Sequence, residues 1–127
     1  MNDSLGLKIA GQRYSIMRSR ENGALMDVAQ RHATYMAALQ RCGNQLMGTR
    51  YIELRWRTGS YRYGEVVGES WSGRDYADTT AVGIEMFRQW AHNPRDRGVI
   101  NTTHKFMGYG MARSERGIYY ACIIIGD

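Results

Sequence analysis

"HKFMGYGMARSERGIYYACIII", residues 104–125, decides the fold. Two apolar stretches, 104–112 and 117–125, are rich in tyrosine, isoleucine and methionine, and the polar segment "RSER" at 113–116 separates them. Two such runs joined by a short polar connection are typical of a β-hairpin. The sequence therefore predicts two antiparallel strands here.

A strong helical pattern precedes this hairpin at residues 22–41, "NGALMDVAQRHATYMAALQR". Its apolar stripe recurs at steps of three and four residues and contains Leu25, Val28, Ala29, His32, Met36 and Leu39. That spacing indicates an amphipathic helix with one face towards the core, and Asn22-Gly23 marks its start. We interpret His32 as a hydrogen-bonded core residue.

Three further helices and one strand complete the prediction. A first helix is expected over 5–20, with Leu5, Ile9 and Ile16 as its apolar residues, and a short one over 50–60, closed by Gly59. An irregular strand is expected over 61–71. The third helix should begin after an N-cap at Asp78 and end near His92, because Pro94 blocks its continuation. Helices, a strand and a closing hairpin predict one α+β domain over residues 1–127 with an antiparallel sheet.

Composition excludes some classes of protein. The net charge is +5, and only two of the seventeen basic residues are lysines. Arginine suits carboxylates, phosphates and aromatic faces, but these arginines are spread along the chain without a dense block. We therefore expect a solvated basic surface and disfavour nucleic-acid binding. No stretch approaches the roughly 20 apolar residues of a transmembrane helix, and no export signal is visible.

Two cysteines, Cys42 and Cys122, are too few for a disulfide scaffold. They would form one bridge in an exported protein or remain two buried thiols, and the sequence leaves both alternatives open.

Four segments in order resemble the CAP superfamily, which comprises cysteine-rich secretory proteins, antigen 5 and plant pathogenesis-related proteins, and especially its short bacterial members. The segments are "ALMDVAQRHATYMA" (24–37), "GSYRYGEVVGESWSG" (59–73), "FRQWAHNPRDRGVINTTHKFMGYGMA" (87–112) and "IYYACIIIG" (118–126). The likeness covers residues 10–126. It implies a three-layer α-β-α sandwich with a central antiparallel sheet and a location outside the cell or in the cell envelope.

The resemblance also implies a cleft lined by two histidines and two glutamates, which holds a divalent metal in some members. The family's histidines fall on Asp96, within "NPRDR", and on Asn44. Its Gly-Glu-Asn segment places one glutamate at Glu69, and the second falls near Glu53. Both histidines are therefore missing, and His104 is the one histidine that could approach the cleft instead.

Three carboxylates and an amide favour calcium, magnesium or manganese over zinc. A divalent cation held by Glu69 and Asp96 is thus the one cofactor candidate, and no cofactor is firmly predicted. Each acidic residue also has a structural alternative. Glu69 could bond backbone groups in the bend after the strand, Asp96 could pair with a neighbouring arginine in a turn, and Glu53 could form a surface ion pair.

The sequence predicts one cluster of aromatic residues, which consists of Trp56, Tyr61, Tyr63, Trp71 and Tyr76. They suit the core and a cleft wall, or alternatively a platform for sugars, peptides or lipid headgroups. We expect a degenerate cleft and a non-catalytic protein that binds an extracellular lipid, glycan or protein. The alternatives are a metal-dependent hydrolase that uses Glu69 and Asp96, and a binder of anionic surfaces through its arginines.

Overall fold

The computed structural model describes residues 3–60 and 62–127, and it has the predicted α+β fold. Tyr61, the first residue of the predicted strand 61–71, lies outside the described residues. The helices are α1 (Ser4–Ala10), α2 (Gly23–Leu39), α3 (Met47–Thr58), α4 (Thr79–His92) and α5 (Pro94–Ile100), with a 3-10 turn at Ser15–Arg18. The strands are β1 (Arg20–Glu21), β2 (Tyr63–Glu69), β3 (Phe106–Arg113) and β4 (Tyr119–Gly126).

The predicted hairpin is the centre of a sheet with the order β1-β3-β4-β2. β3 and β4 are antiparallel, with Gly110 opposite Cys122, and β2 pairs antiparallel with the other edge of β4. The expected antiparallel sheet is therefore confirmed for the three longer strands. The short β1 pairs parallel to β3, so the complete sheet is mixed. The sequence missed β1 because two residues show no periodicity.

Helices cover both faces of this sheet, which gives three layers. Alternate residues of β4 point to opposite sides: Tyr120, Cys122 and Ile124 pack towards α2 and α3, while Ala121, Ile123 and Ile125 pack towards α1 and α4. A strand buried on both faces is a continuous apolar run, as the sequence of β4 shows.

α2 lies directly on the sheet over two glycines of β3. A Cβ atom on Gly108 would overlap the backbone of Leu25, and one on Gly110 would overlap that of Gln30. Asn22 caps this helix through its side-chain oxygen, which accepts hydrogen bonds from the N–H groups of Ala24 and Leu25 at 2.9 and 3.2 Å. The predicted stripe is buried except at its last member, Leu39, which is exposed in the final turn.

The predicted helix over 5–20 was wrong in extent, because the chain breaks after α1 and resumes as the 3-10 turn. Leu7 and Ile16 are buried, but Leu5 and Ile9 face solvent. The contact between α1 and α4 uses small residues instead. A Cβ on Gly83 would lie 2.8 Å from that of Ala10, so the two helices pack closely at this point.

α4 begins and ends as predicted, and the Asp78 side chain accepts a hydrogen bond from the N–H of Ala81 at 2.8 Å. The turn expected at "NPRDR" is instead α5, with Pro94 at its first position and Asn93 as its cap. Proline suits that position because the first N–H groups of a helix have no partner within it. In the described part of the chain, no helix is long and apolar enough to cross a membrane.

Candidate functional site

A buried polar cluster joins α3 to β2. Both oxygens of Glu65 accept hydrogen bonds from Arg50, Oε1 from Nε at 2.8 Å and Oε2 from Nη2 at 2.6 Å. Asn44 Nδ2 donates to the same Oε2 at 2.7 Å, and Arg50 Nη1 donates to the backbone oxygen of Gln45. The predicted cleft residue Asn44 therefore contacts a glutamate, but that glutamate is Glu65, which the sequence analysis did not select.

Strand periodicity carried a signal for Glu65. Tyr63 and Val67, on the same side of β2, pack in the core beneath α2 and α3. Since side chains alternate along a strand, Glu65 and Glu69 share that side. A glutamate in the middle of such a strand must be paired when it is buried, and Arg50 is one of the two buried residues of α3.

His32 fixes the loop that holds Asn44. It is buried on α2, and its Nε2 lies 2.7 Å from the backbone oxygen of Gly43. Burial lowers the pKa of His32 below its usual value, so the imidazole is neutral at pH 7 and donates to that oxygen. The prediction of a hydrogen-bonded core histidine is confirmed.

The thiol of Cys42 is half-buried and is influenced by the charges of two carboxylates. Burial raises the pKa of Cys42 to about 12, and the negative charges of Glu69 and Asp96 add to the effect. Glu69 is exposed at the end of β2, and its backbone oxygen accepts a hydrogen bond from Gln89 Nε2 at 2.8 Å. Asp96 is half-buried in the first turn of α5, where burial raises its pKa and Arg95 opposes the rise. The two proposed metal ligands thus lie on different elements, Glu69 at the end of β2 and Asp96 in α5.

These residues do not fit a resident divalent cation. Among residues 3–60 and 62–127, no three His, Cys, Asp or Glu side chains are grouped so that they could hold a metal ion. The amide of Asn44 is directed to Glu65, whose charge Arg50 already balances. Calcium and magnesium require six or more oxygen ligands in total.

Glu53 and His104 lie elsewhere. Glu53 belongs to a surface ion-pair network between α2 and α3, where it pairs with Arg31 and, at 3.2 Å, with Arg57. Glu53 thus forms a surface ion pair, which was the alternative to its predicted position in the cleft. His104 precedes β3 and contacts Asp127 Oδ2 at 3.3 Å, whereas Glu69 pairs with Tyr120 at the other end of β4. The structure therefore does not bring His104 to Glu69.

Both cysteines are free thiols. Of the two alternatives that the sequence left open, the structure has the one without a bridge. Cys122 is fully buried, and its Sγ lies 3.8 Å from Glu65 Oε1.

The predicted aromatic cluster is divided between core and surface. Tyr63 packs against Tyr51, with ring centroids 5.5 Å apart, and Tyr76 is half-buried. Trp56 is 85% exposed and Trp71 is 59% exposed, so neither forms part of the core. Tyr61 belongs to the undescribed part of the chain.

A groove of about 590 Å³ runs between α1 and α4. Its rim carries Ile9 and Ile84, which are 53% and 48% exposed, and its wall contains the stacked rings of Tyr14 and Phe87, 4.7 Å apart. Two arginines, Arg13 and Arg88, also line it. The sequence analysis missed this groove because it depends on how the two helices are placed.

No family model matches the sequence, and no curated protein matches it. Among solved structures, the chain is similar to an outer surface protein from Borrelia burgdorferi, with a TM-score of 0.72 and 15% sequence identity. The alignment covers 100% of this chain and 96% of that protein. At this identity the likeness establishes the shared fold alone: the chain has the same α+β architecture as the Borrelia surface protein.

Proposed function

We propose that the protein is a CAP-like domain that acts as a non-catalytic binding protein outside the cell or in the cell envelope, and that its ligand is a medium-chain fatty acid held between α1 and α4. The observation that carries this proposal is the groove in which two exposed isoleucines and two arginines lie together. The four-segment resemblance supports the family. The similar Borrelia protein is named as an outer surface protein, which supports the location.

The state of the cleft argues against catalysis. Asn44 and Glu65 are engaged with each other, and Arg50 occupies both oxygens of Glu65. Acid-base catalysis needs a titratable group that can reach the substrate with a pKa near the working pH. Glu69 and Asp96 stand where the resemblance expects a site, but the two histidines of that site are replaced by an amide and a carboxylate.

The apolar part of the groove suits an acyl chain. Ile9 and Ile84 come from adjacent helices and expose about half of their surface, while Tyr14 and Phe87 extend the same apolar wall. Covering such surface is favourable by roughly 0.8 kcal/mol for each methylene buried. The volume of about 590 Å³ lies within the usual range for small-molecule sites.

The charged part of the groove selects an anion. Arg13 and Arg88 are both exposed, and within the described residues neither has a carboxylate partner in an ion pair. Guanidinium groups bind carboxylates through paired, charge-assisted hydrogen bonds. A carboxylate at these arginines with an alkyl chain along the isoleucines satisfies both parts of the groove.

Calorimetric titration with laurate tests the proposal. We expect binding to the unmodified protein and a loss of about tenfold or more in the Arg13→Ala/Arg88→Ala variant, because a charged hydrogen bond contributes roughly 1.5–3 kcal/mol. Arg18→Ala/Arg20→Ala is the matched control, since it removes the same charge from two other positions on the chain. No binding, or an equal loss in both double variants, would overturn the proposal and favour a general affinity for anions.

A further inference from the structure

The geometry points to a second binding site, for an acidic saccharide, in the pocket between the loop that follows β2 and the turn that joins β3 to β4. This cavity of about 310 Å³ is lined by Trp71, Arg74, Asp75, Arg113 and Arg116, among others. It shares no lining residue with the groove between α1 and α4, so this inference does not depend on the proposed function.

Trp71 supplies an exposed aromatic side chain on a loop that is closed by an internal hydrogen bond. Its backbone N–H donates a hydrogen bond to Tyr76 Oη at 3.1 Å, which closes the loop across residues 71–76. Tyr76 in turn lies under the guanidinium of Arg74, 5.5 Å from the ring centroid. A large aromatic face on a tied loop can cover the apolar side of a sugar ring with little loss of loop entropy.

Arg74 is positioned by a buried carboxylate. Its Nη1 donates to Glu85 Oε1 at 2.9 Å, and the Glu85 side chain is almost completely buried on α4. More than half of the Arg74 side chain remains exposed, so the ion pair orients the guanidinium without covering it.

Arg113 is positioned from the other side of the pocket. Its guanidinium carbon lies 5.7 Å from the ring centroid of Tyr119, and its Nη2 lies 3.2 Å from the place where a Cβ would stand on Gly117. Gly117 has a φ of +82° in the hairpin turn, a conformation that favours glycine. The turn therefore leaves room for the arginine to fold back beside Tyr119.

The charge of the pocket defines the chemistry of its ligand. Three arginines face one aspartate in the lining, and Glu85 is already paired with Arg74. Guanidinium forks match carboxylate and sulfate groups, and a carboxylate such as Asp75 can accept hydrogen bonds from hydroxyl groups. A ligand with anionic groups, hydroxyl groups and a flat apolar face is an acidic sugar.

A neighbouring cavity indicates a chain of sugars rather than a single ring. Glu69, Ser72 and Gln89 line a cavity of about 500 Å³ that shares Trp71 and Ile118 with the arginine pocket. Trp71 thus lies between an arginine-rich cavity and one whose polar side chains include no arginine. An oligosaccharide that crosses Trp71 would place its anionic units on the arginines.

Calorimetric titration at about 0.15 M salt, the physiological ionic strength, with three probes tests the inference. The probes are a heparin hexasaccharide, a hyaluronan hexasaccharide and neutral cellohexaose. We expect both acidic hexasaccharides to bind and cellohexaose to bind at least about tenfold more weakly, because it lacks the charged hydrogen bonds. Trp71→Ala and Arg113→Ala/Arg116→Ala should each weaken the acidic probes by about tenfold.

Two control variants distinguish binding in this pocket from a general attraction of the basic protein for anions. Trp56→Ala removes another exposed tryptophan, and Arg18→Ala/Arg20→Ala removes two arginines outside the pocket. Both should keep the affinity within about twofold, and laurate binding should be unchanged in the Trp71→Ala variant. Equal losses in controls and site variants, full affinity in Trp71→Ala, or Trp71-dependent binding of phosphatidylglycerol vesicles without saccharide binding would overturn the inference.

Discussion

Arg50 on α3 and Glu65 on β2 form a two-pronged ion pair whose side chains are 10% and 0% exposed. Arg50 Nε and Nη2 donate to separate oxygens of Glu65, and Asn44 donates to one of them. One buried carboxylate thus joins a helix, a strand and the loop after α2. Glu53, on the same helix as Arg50, forms only surface ion pairs.

Glu65→Ala should lower the free energy of unfolding by about 3–5 kcal/mol, because it leaves the Arg50 guanidinium buried without its partner. Glu53→Ala is the matched control and should cost less than about 1 kcal/mol, since exposed ion pairs contribute little. Urea unfolding followed by circular dichroism measures both. Arg50→Met/Glu65→Leu should recover most of the loss. Similar costs for the two glutamates would contradict the buried pair.

Gly110→Ala should destabilise the protein by about 1–3 kcal/mol or more, because its new methyl group would overlap the backbone of Gln30 and push α2 away from the sheet. Gly48→Ala provides the comparison. Gly48 lies in α3, and nothing lies within 4 Å of its added Cβ. That change should stabilise the protein by roughly 0.4–1 kcal/mol. Thermal unfolding of both variants checks the difference in sign.

The elements that the sequence predicted well are those whose buried face repeats over several turns or residues. α2 and α4 each carry a buried apolar stripe over several turns, and the two strands of the hairpin pair over their full length. β1 has two residues and α5 has seven, and the proline that limits α4 also starts α5. The exposure of Leu5 and Ile9 was missed because the small residues of α1, Gly6 and Ala10, form its contact with α4.

The candidate site was predicted less completely than the fold. Of the predicted cleft residues, Asn44 contacts Glu65, while Glu69 ends β2 and Asp96 lies in the first turn of α5. Glu53 was selected only by its approximate position in the resemblance. The glutamate that contacts Asn44 is Glu65, which lies in the middle of β2. Which residue pairs with the buried Glu65 depends on how α3 packs over the sheet. The spacing of residues along the sequence does not give the distance between Arg50 and Glu65.

Cys42 should react slowly with iodoacetamide at pH 8, because the thiolate is the reactive form and burial, with the nearby charges of Glu69 and Asp96, raises its pKa to about 12. The rate should rise about tenfold for each pH unit up to about pH 10 without a plateau. Mass spectrometry of the labelled peptides separates Cys42 from Cys122. Asp96→Asn should increase the rate, since it removes one of the charges. A plateau near about pH 8.5, as for an exposed cysteine, would show that the thiol is not buried.

Metal-stripped protein should show no specific binding of zinc, calcium, magnesium or manganese in calorimetric titrations. The physical reason is the donor set: Asn44 is directed to Glu65, Glu65 is balanced by Arg50, and in the described residues no third acidic, cysteine or histidine side chain completes a site with Glu69 and Asp96. Glu69→Gln and Asp96→Asn should therefore leave the titrations unchanged.

The Glu69→Gln and Asp96→Asn variants distinguish a metal site at these carboxylates from an ion bound elsewhere. Binding of any of the four ions that is lost in both Glu69→Gln and Asp96→Asn would establish a working carboxylate site, and it would make metal-dependent hydrolysis the leading function. Binding that persists in both would place the ion away from Glu69 and Asp96.

Asp96→Asn should also change the free energy of unfolding more favourably at pH 7 than at pH 3. A carboxyl group whose pKa is raised in the folded protein loses stability as the pH rises through its usual value, and the variant removes this loss. A stability difference that does not change with pH would mean that Asp96 is solvated, and an accessible carboxylate is what a metal site would need.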